Sequence, residues 1–299
     1  DGTGDITSTI YLWDDGGAGE KSQSDFITVN ALGSVSGGSG RSTDFNDHIG
    51  VAQGFFVECT KTSTQLNFTD AMKVNGNNED ANYFRTSRSS HETIKIALIN
   101  NKDVRSEILI GLVEDAEVGY DYKYDSRKMV GNSASQLYMP LENKQLAIQG
   151  LPLDYQEAVS VGLDIKEAEE YRLEILEETL AGRSVVLYDK QLKVSHDLSR
   201  APYQFHSQEG VFEGRFEVFF NSSILSSDLN DQVSIYAHDG WLSINVPNGE
   251  IKNYRMINVS GQEVWKGQVN HSFTKDFSNL PKGVYIVTDG LNSQKIILQ

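Results

Sequence analysis

The densest run of chemically capable groups is Glu114-Asp115-Ala116-Glu117-Val118-Gly119-Tyr120-Asp121-Tyr122-Lys123-Tyr124-Asp125. Carboxylates gathered around a glycine turn are the oxygen ligands that a hard cation takes, which makes Asp115, Asp121 and Asp125 candidate Ca2+ ligands. The spacing is not that of an EF-hand, which needs alternating carboxylates before a glycine and a glutamate in the twelfth place. The interleaved tyrosines offer faces on which a saccharide could stack. The ordinary alternative is a solvated acidic loop capped by packed tyrosines. Asp1, Asp5, Asp14 and Asp15 form a second acidic cluster of weaker metal-binding character. No other cofactor is expected.

Catalytic constellations are thin. The histidines are His48, His91, His196, His206, His238 and His271, and no pair has the i, i+4 spacing of a helical zinc site. Ser89-Ser90-His91-Glu92 puts a hydroxyl beside an imidazole, but neighbours on a strand point to opposite faces. No Gly-x-Ser-x-Gly elbow occurs. Paired carboxylates for glycoside hydrolysis can be drawn in any acidic chain, so their number decides nothing. Cys59 is the single cysteine, which excludes an intrachain disulfide. Its flanks, Phe55-Phe56-Val57-Glu58-Cys59, predict a strand with Cys59 buried on the face of Phe55 and Val57. The chain is therefore expected not to be an enzyme.

Charge is distributed unevenly. Residues 232–299 carry Lys252, Arg255, Lys266, Lys275, Lys282 and Lys295 against Asp239, Glu250, Glu263, Asp276 and Asp289, a balance of +1. With a net charge of −16 for the whole, the remainder stands at −17. An acidic body speaks against nucleic acid as a partner, because counterion release needs clustered Lys and Arg. A hydrophobic fraction of 38% and mean hydropathy of −0.40 suit soluble modules. No apolar run approaches the roughly 20 residues of a membrane-spanning helix. Asp1-Gly2-Thr3-Gly4-Asp5 has neither a basic segment nor an apolar stretch, so the sequence reads as a mature form or a fragment of a longer protein.

The elements that must position these groups are strands, since the apolar pattern has period 2 almost throughout. Strands are expected at 9–13, 54–59, 66–68, 94–99, 107–113, 146–148, 159–163, 185–188, 203–206 and 215–220, with a loop over 34–47. Residues 166–180 have a helix-like composition, yet Tyr171, Leu173 and Ile175 alternate with Arg172 and Glu174. That predicts strand–turn–strand into 184–188, with a short helix as the alternative. The serine-rich, glycine-free segment around 222–231 reads as a linker. After it, 233–236, 241–246, 253–258, 263–268, 272–277, 283–288 and 293–298 predict seven short strands. The fold class is all-β: one or two antiparallel β-sandwich modules over 1–221, with a possible division near 87–92, then a small seven-stranded immunoglobulin-like β-sandwich over 232–299. Tyr236, Trp241, Tyr254, Trp265, Phe273, Phe277 and Tyr285 would supply its apolar area.

Residues 232–299 also resemble a known family. Ser234-Ile235-Tyr236 ends a strand and is followed by a turn and Trp241-Leu242-Ser243-Ile244. Met256-Ile257-Asn258-Val259-Ser260-Gly261-Gln262-Glu263-Val264 runs through a glycine hairpin. Leu280-Pro281-Lys282-Gly283-Val284-Tyr285-Ile286-Val287 carries a Gly-x-Tyr strand start, and Lys295 opens the last apolar strand. In this order the motifs resemble the type A C-terminal sorting domain of proteins exported by the type IX secretion system of Bacteroidetes. The family usually has a Pro-Asn-Pro-like turn after the tyrosine, where this chain has Ala237-His238-Asp239-Gly240.

The resemblance implies a sorting signal carried by Tyr236, Gly261, Pro281, Lys282, Gly283, Tyr285 and Lys295. It implies export across the outer membrane to the cell surface or beyond. Its partners would be the type IX translocon, its outer-membrane shuttle protein and a sortase-like peptidase that cuts around 222–232 and joins the cargo to anionic lipopolysaccharide. An exposed edge strand would suit recognition by strand addition. Residues 1–221 more loosely resemble the β-rich regions that precede such domains in large surface proteins, a stalk or adhesin-like part. The competing readings are a Ca2+- or glycan-binding adhesion module, and the non-catalytic tail of a secreted enzyme.

Overall fold

The computed structural model describes residues 5–14, 25–36, 49–50, 52–62, 64–73, 91–131, 133–180, 182–222, 233–238, 240–246, 251–270 and 272–298. Strand is the dominant element of these residues, and the one helical element among them is a 3-10 turn at Asp70–Met72. The expected all-β class holds. The chain forms two compact units, one made of Asp1–Ala97, Asp103–Tyr155 and Leu176–Ala181, the other of Leu98–Lys102, Gln156–Ile175 and Gly182–Gln299.

In the first unit, β1 (Ile6–Asp14), β2 (Asp25–Asn30), β3 (Gly33–Ser36) and β4 (Phe56–Cys59) form an antiparallel sheet in the order β3-β2-β1-β4. A second set comprises β5 (Glu92–Asn100), β6 (Arg105–Val113), β7 (Ser126–Arg127), β8 (Gln136–Leu141) and β9 (Lys144–Pro152). Its order is β8-β9-β6-β5, and β7 also pairs with β9. The last eight residues of β6 are all buried, the mark of a strand covered on both faces. Leu32, Val35, Leu109, Val113, Tyr124, Ala147 and Ile148 form one core cluster, where the β2–β3 turn region meets β6 and β9. Gly150 permits the closest approach: a Cβ there would lie 2.4 Å from that of Tyr124.

Four expectations need correction in this unit. β6 and β9 run parallel, Leu109 opposite Ile148, so the region is not purely antiparallel. The chain from 114 to 143 supplies the crossover that a parallel pair requires. Of the loop expected over 34–47, residues 34–36 are strand, because Val29↔Ser34 and Ile27↔Ser36 pairing overrides their serine-rich composition, and 37–47 lie outside the described residues. Residues 66–68 are not strand, and Leu66 and Phe68 are exposed. Cys59 is exposed rather than buried: β4 is the edge of its sheet, and Phe56 at the other end of the strand is also 56% exposed.

The second unit contains β10 (Val159–Ile165), β11 (Glu169–Glu178, as far as Ile175), β12 (Arg183–Asp189), β13 (Val194–Asp197), β14 (Tyr203–Ser207) and β15 (Gly210–Ser222). Strands β13-β12-β15-β10 neighbour one another in that order, and β14 pairs antiparallel with β11. Residues 169–178 are the expected strand rather than a helix, with Tyr171 and Leu173 buried between less buried Arg172 and Glu174. β11 and β12 are not a hairpin, since β12 pairs with β13 and β15.

At the centre of this unit lies a buried ion pair. Arg215 Nη2 donates to Asp189 Oδ2 at 2.8 Å, with side chains 3% and 0% exposed. Asp189 also accepts Tyr203 Oη–H at 3.2 Å and the backbone N–H groups of Gln191 and Leu192. The guanidinium lies over the rings of Phe205 and Phe216, at 4.7 and 4.9 Å.

The same unit holds β16 (Ser234–His238), β17 (Trp241–Asn245), β18 (Lys252–Asn258), β19 (Glu263–Val269), β20 (Ser272–Asp276), β21 (Gly283–Thr288) and β22 (Ser293–Leu298), the seven strands expected. They form two antiparallel sheets, β16-β17-β20 and β19-β18-β21-β22. Leu242, Ile244, Val246, Tyr254, Met256, Val269, Phe277, Tyr285, Val287, Ile296 and Leu298 close between them as a core of their own. Trp265 stacks on Phe273 at 4.8 Å, joining β19 to β20 across the open side. Residues 223–231 of the expected linker and 87–90 of the proposed division lie outside the described residues.

Breaking a buried pair leaves an uncompensated charge and costs about 3–5 kcal/mol, whereas an exposed pair contributes about 1 kcal/mol or less. Arg215→Ala should therefore lower the unfolding free energy of the full chain by about that larger amount in urea titration. Lys166→Ala, which breaks the exposed pair with Asp164 at 2.8 Å, should change it little. Equal effects would contradict the assignment of Arg215 to a desolvated ion pair.

Candidate functional site

The loop 114–125 connects β6 to β7, and the structure gives each of its candidate ligands a separate task. Asp115 pairs with Lys123 Nζ and accepts Tyr124 Oη–H at 2.6 Å. Lys123 and Tyr124 together hold the Asp115 carboxyl below its usual range. Asp121 Oδ1 accepts the N–H of Lys123, and its carbonyl accepts that of Asp125, which folds the segment into one tight turn. Asp125 points inward and is 1% exposed, taking Gly150 N–H on Oδ1 and Asp121 N–H on Oδ2, both at 2.9 Å.

Asp115, Asp121 and Asp125 thus share a loop, each engaged by partners within the chain. Among the described residues no three His, Cys, Asp or Glu side chains group as metal ligands would. Tyr124 is a core residue, while Tyr120 and Tyr122 meet edge to face at 5.1 Å, with Lys144 over the Tyr120 ring. In the second acidic cluster Asp5 pairs with Lys61 and Asp14 is buried; Asp1 and Asp15 lie outside the described residues. Ser89, Ser90, His48 and His271 also lie outside them. His196 binds the carbonyl of Ala201 at 2.8 Å, and burial lowers its basicity.

The sorting-motif residues occupy defined stations in the terminal sandwich. Gly261 sits at φ +80° in the β18–β19 turn, a conformation glycine adopts without strain. Asn258, unremarked in the sequence, organises that turn: its Oδ1 accepts Ser260 N–H, Ser260 Oγ–H and Gln262 N–H. Pro281 and Lys282 are exposed and lead into β21, which Gly283 opens. Tyr285 buries its ring in the core and donates its hydroxyl to Pro281 O at 2.7 Å. The spacing of Pro281, Gly283 and Tyr285 is therefore that of a corner closed by one hydrogen bond. Tyr236 belongs to another face: its ring stacks on Tyr203, centroids 6.3 Å apart, and its hydroxyl donates to Gln204 O at 3.0 Å. Burial pushes the Tyr236 phenol up to about 12.

The outer face of β19-β18-β21-β22 combines cations with aliphatic groups. Arg255 lies opposite Lys266, and Ile286 lies opposite Lys295. Arg255, Lys266 and Lys295 are exposed, as are Ile286 at 38% and Ile297 at 50%. Strands β19 and β22 are the two edges of this sheet, and β22 packs beside β16 of the other.

Asp125 gives the first unit a pH signature. Burial pushes its carboxyl from 3.8 up to about 7, against the opposing pull of the two backbone N–H groups. Between those values the folded state binds more protons than the unfolded chain, so this group's contribution to stability falls as pH rises from about 4 to about 7. Urea titrations at pH 4 and pH 8 should show Asp125→Asn gaining on the wild type as pH rises. A difference that does not change with pH would contradict the buried-carboxyl reading.

Comparison with known proteins gives one finding. No curated protein and no solved structure matches the chain. A family model described as a domain of unknown function, DUF8693, matches residues 3–220 and stops where the terminal sandwich is still to come. The chain belongs to the DUF8693 family.

Proposed function

We propose that residues 232–299 are the export signal of a secreted surface protein, read by a type IX translocon, and that the DUF8693 region is the cargo body it carries. The observation that carries the reading is the corner Pro281–Tyr285. Its motif residues are tied by the Tyr285–Pro281 hydrogen bond within a sandwich that has its own core. A signal recognised in the folded state needs such a self-contained module, with specific groups held rigidly at its surface.

Arg255, Lys266 and Lys295 give that module a cationic outer face, in keeping with an acidic receptor surface or anionic lipopolysaccharide. The body acts as a stalk or adhesin-like part, without catalysis of its own.

The test places an inert reporter with an inner-membrane export signal before residues 1–299, or before residues 1–231, in a type IX-competent host. The longer fusion should reach the surface or the medium and the shorter should remain in the periplasm. Equal delivery of both overturns the proposal. A third arm reverses three exposed charges together, Arg255→Glu, Lys266→Glu and Lys295→Glu. Surface substitutions of this kind change stability by about 0.5 kcal/mol or less each, so reduced delivery of a folded variant assigns recognition to that face.

A further inference from the structure

We infer that the terminal sandwich is bound to the upstream domain by a noncovalent joint, centred on Tyr236 and Trp241, that survives a cut in the connecting segment 223–232. The argument begins with the two faces of β16-β17-β20. Ile235, Ala237, Leu242, Ile244 and Phe273 turn toward the sandwich core. Alternation puts Tyr236, Trp241, Ser243 and Asn245 on the opposite face. In a free sandwich that face would meet water, yet Ser243 and Asn245 are 2% and 1% exposed.

What covers it is β14. The His206 ring lies flat on Trp241, centroids 4.3 Å apart at 11°, and Tyr203 stacks on Tyr236. The Tyr236 hydroxyl reaches the Gln204 carbonyl, and Asn245 Nδ2 donates to the same hydroxyl at 3.4 Å. Asp276 of β20 completes the rim: the N–H and hydroxyl of Ser278 chiefly hold its carboxyl low, and His206 adds to the effect.

The surface that receives the sandwich is tied into the upstream fold. β14 is paired to β11 from Glu169↔Ser207 to Leu173↔Tyr203, and Tyr203 is hydrogen-bonded to buried Asp189. Aromatic anchors seated on a preorganised surface are the residues that dominate binding at interfaces. Cutting the connecting chain removes the effective concentration that a tether supplies, but none of these contacts. If the export reading holds, a peptidase acting near 222–232 does not by itself release the sandwich, and a competitor for the Tyr236–Trp241 face must displace it. That consequence rests on the proposed function, while the joint does not.

The experiment inserts a specific protease site within 223–232 of the full 299-residue chain, cuts to completion and follows the products by size exclusion. At about ten micromolar the cut protein should elute as one species at the uncut volume, and two separate peaks would overturn the inference. The Tyr236→Ala/Trp241→Ala variant, shown uncut to elute at the wild-type volume, should separate after cutting at concentrations at least tenfold higher than the wild type does. Co-elution of that cut variant at the wild-type concentrations would also overturn it, since the joint would then lie elsewhere. If the variant fails to fold, the wild-type result alone decides. Because the assay is done in vitro, its failure leaves the export test untouched, and the reverse is equally true.

Discussion

Arg215 and Asp189 meet where neither is hydrated, and a buried charge is tolerated only when its partners are complete. Here they are supplied by distant parts of the second unit: the Tyr203 hydroxyl, two backbone N–H groups after β12, and the faces of Phe205 and Phe216. This fixes Tyr203 in rotamer and position. Tyr203 is also the residue on which Tyr236 stacks, so an electrostatic demand in the upstream domain sets the shape of the surface that holds the terminal sandwich. Loss of the pair would therefore be felt at both ends of the unit.

Much of the fold was legible because it is local. The seven terminal strands alternate cleanly and are separated by turn residues such as those around Gly261, so hydrophobic period and turn chemistry agree. Residues 169–178 were legible for the same reason, since Tyr171 and Leu173 keep period 2 despite a helix-like charge content. What could not be read was partner choice. The parallel pairing of β6 with β9 depends on a crossover, and the strand at 33–36 exists because β2 offers it a register. Cys59 misled because alternation predicts two faces and says nothing about which strand lies at a sheet's edge.

The candidate sites divide in the same way. The acidic loop advertised carboxylates, but a carboxylate is equally a cap for backbone N–H groups, and Asp121 and Asp125 are used in that manner. Composition cannot tell the two uses apart. The terminal motif was visible as a pattern, whereas the hydroxyl-to-carbonyl closure between Tyr285 and Pro281 explains its spacing only once the chain is folded. Tyr236 belongs to that motif by sequence, and in the fold it stacks on Tyr203 of β14, a contact between residues far apart in sequence. The alternation that puts Tyr236 opposite Ile235 and Ala237 was the one available hint.

These features describe a chain that ends in a slightly cationic module with its own core. The central claim is that a type IX translocon reads this module. The most direct measurement is surface labelling of the full chain, with an inner-membrane export signal, in a type IX-competent strain and in its translocon-deficient counterpart. The account predicts label at the surface or protein in the medium only where the translocon is intact. Equal surface labelling in the deficient strain would contradict it.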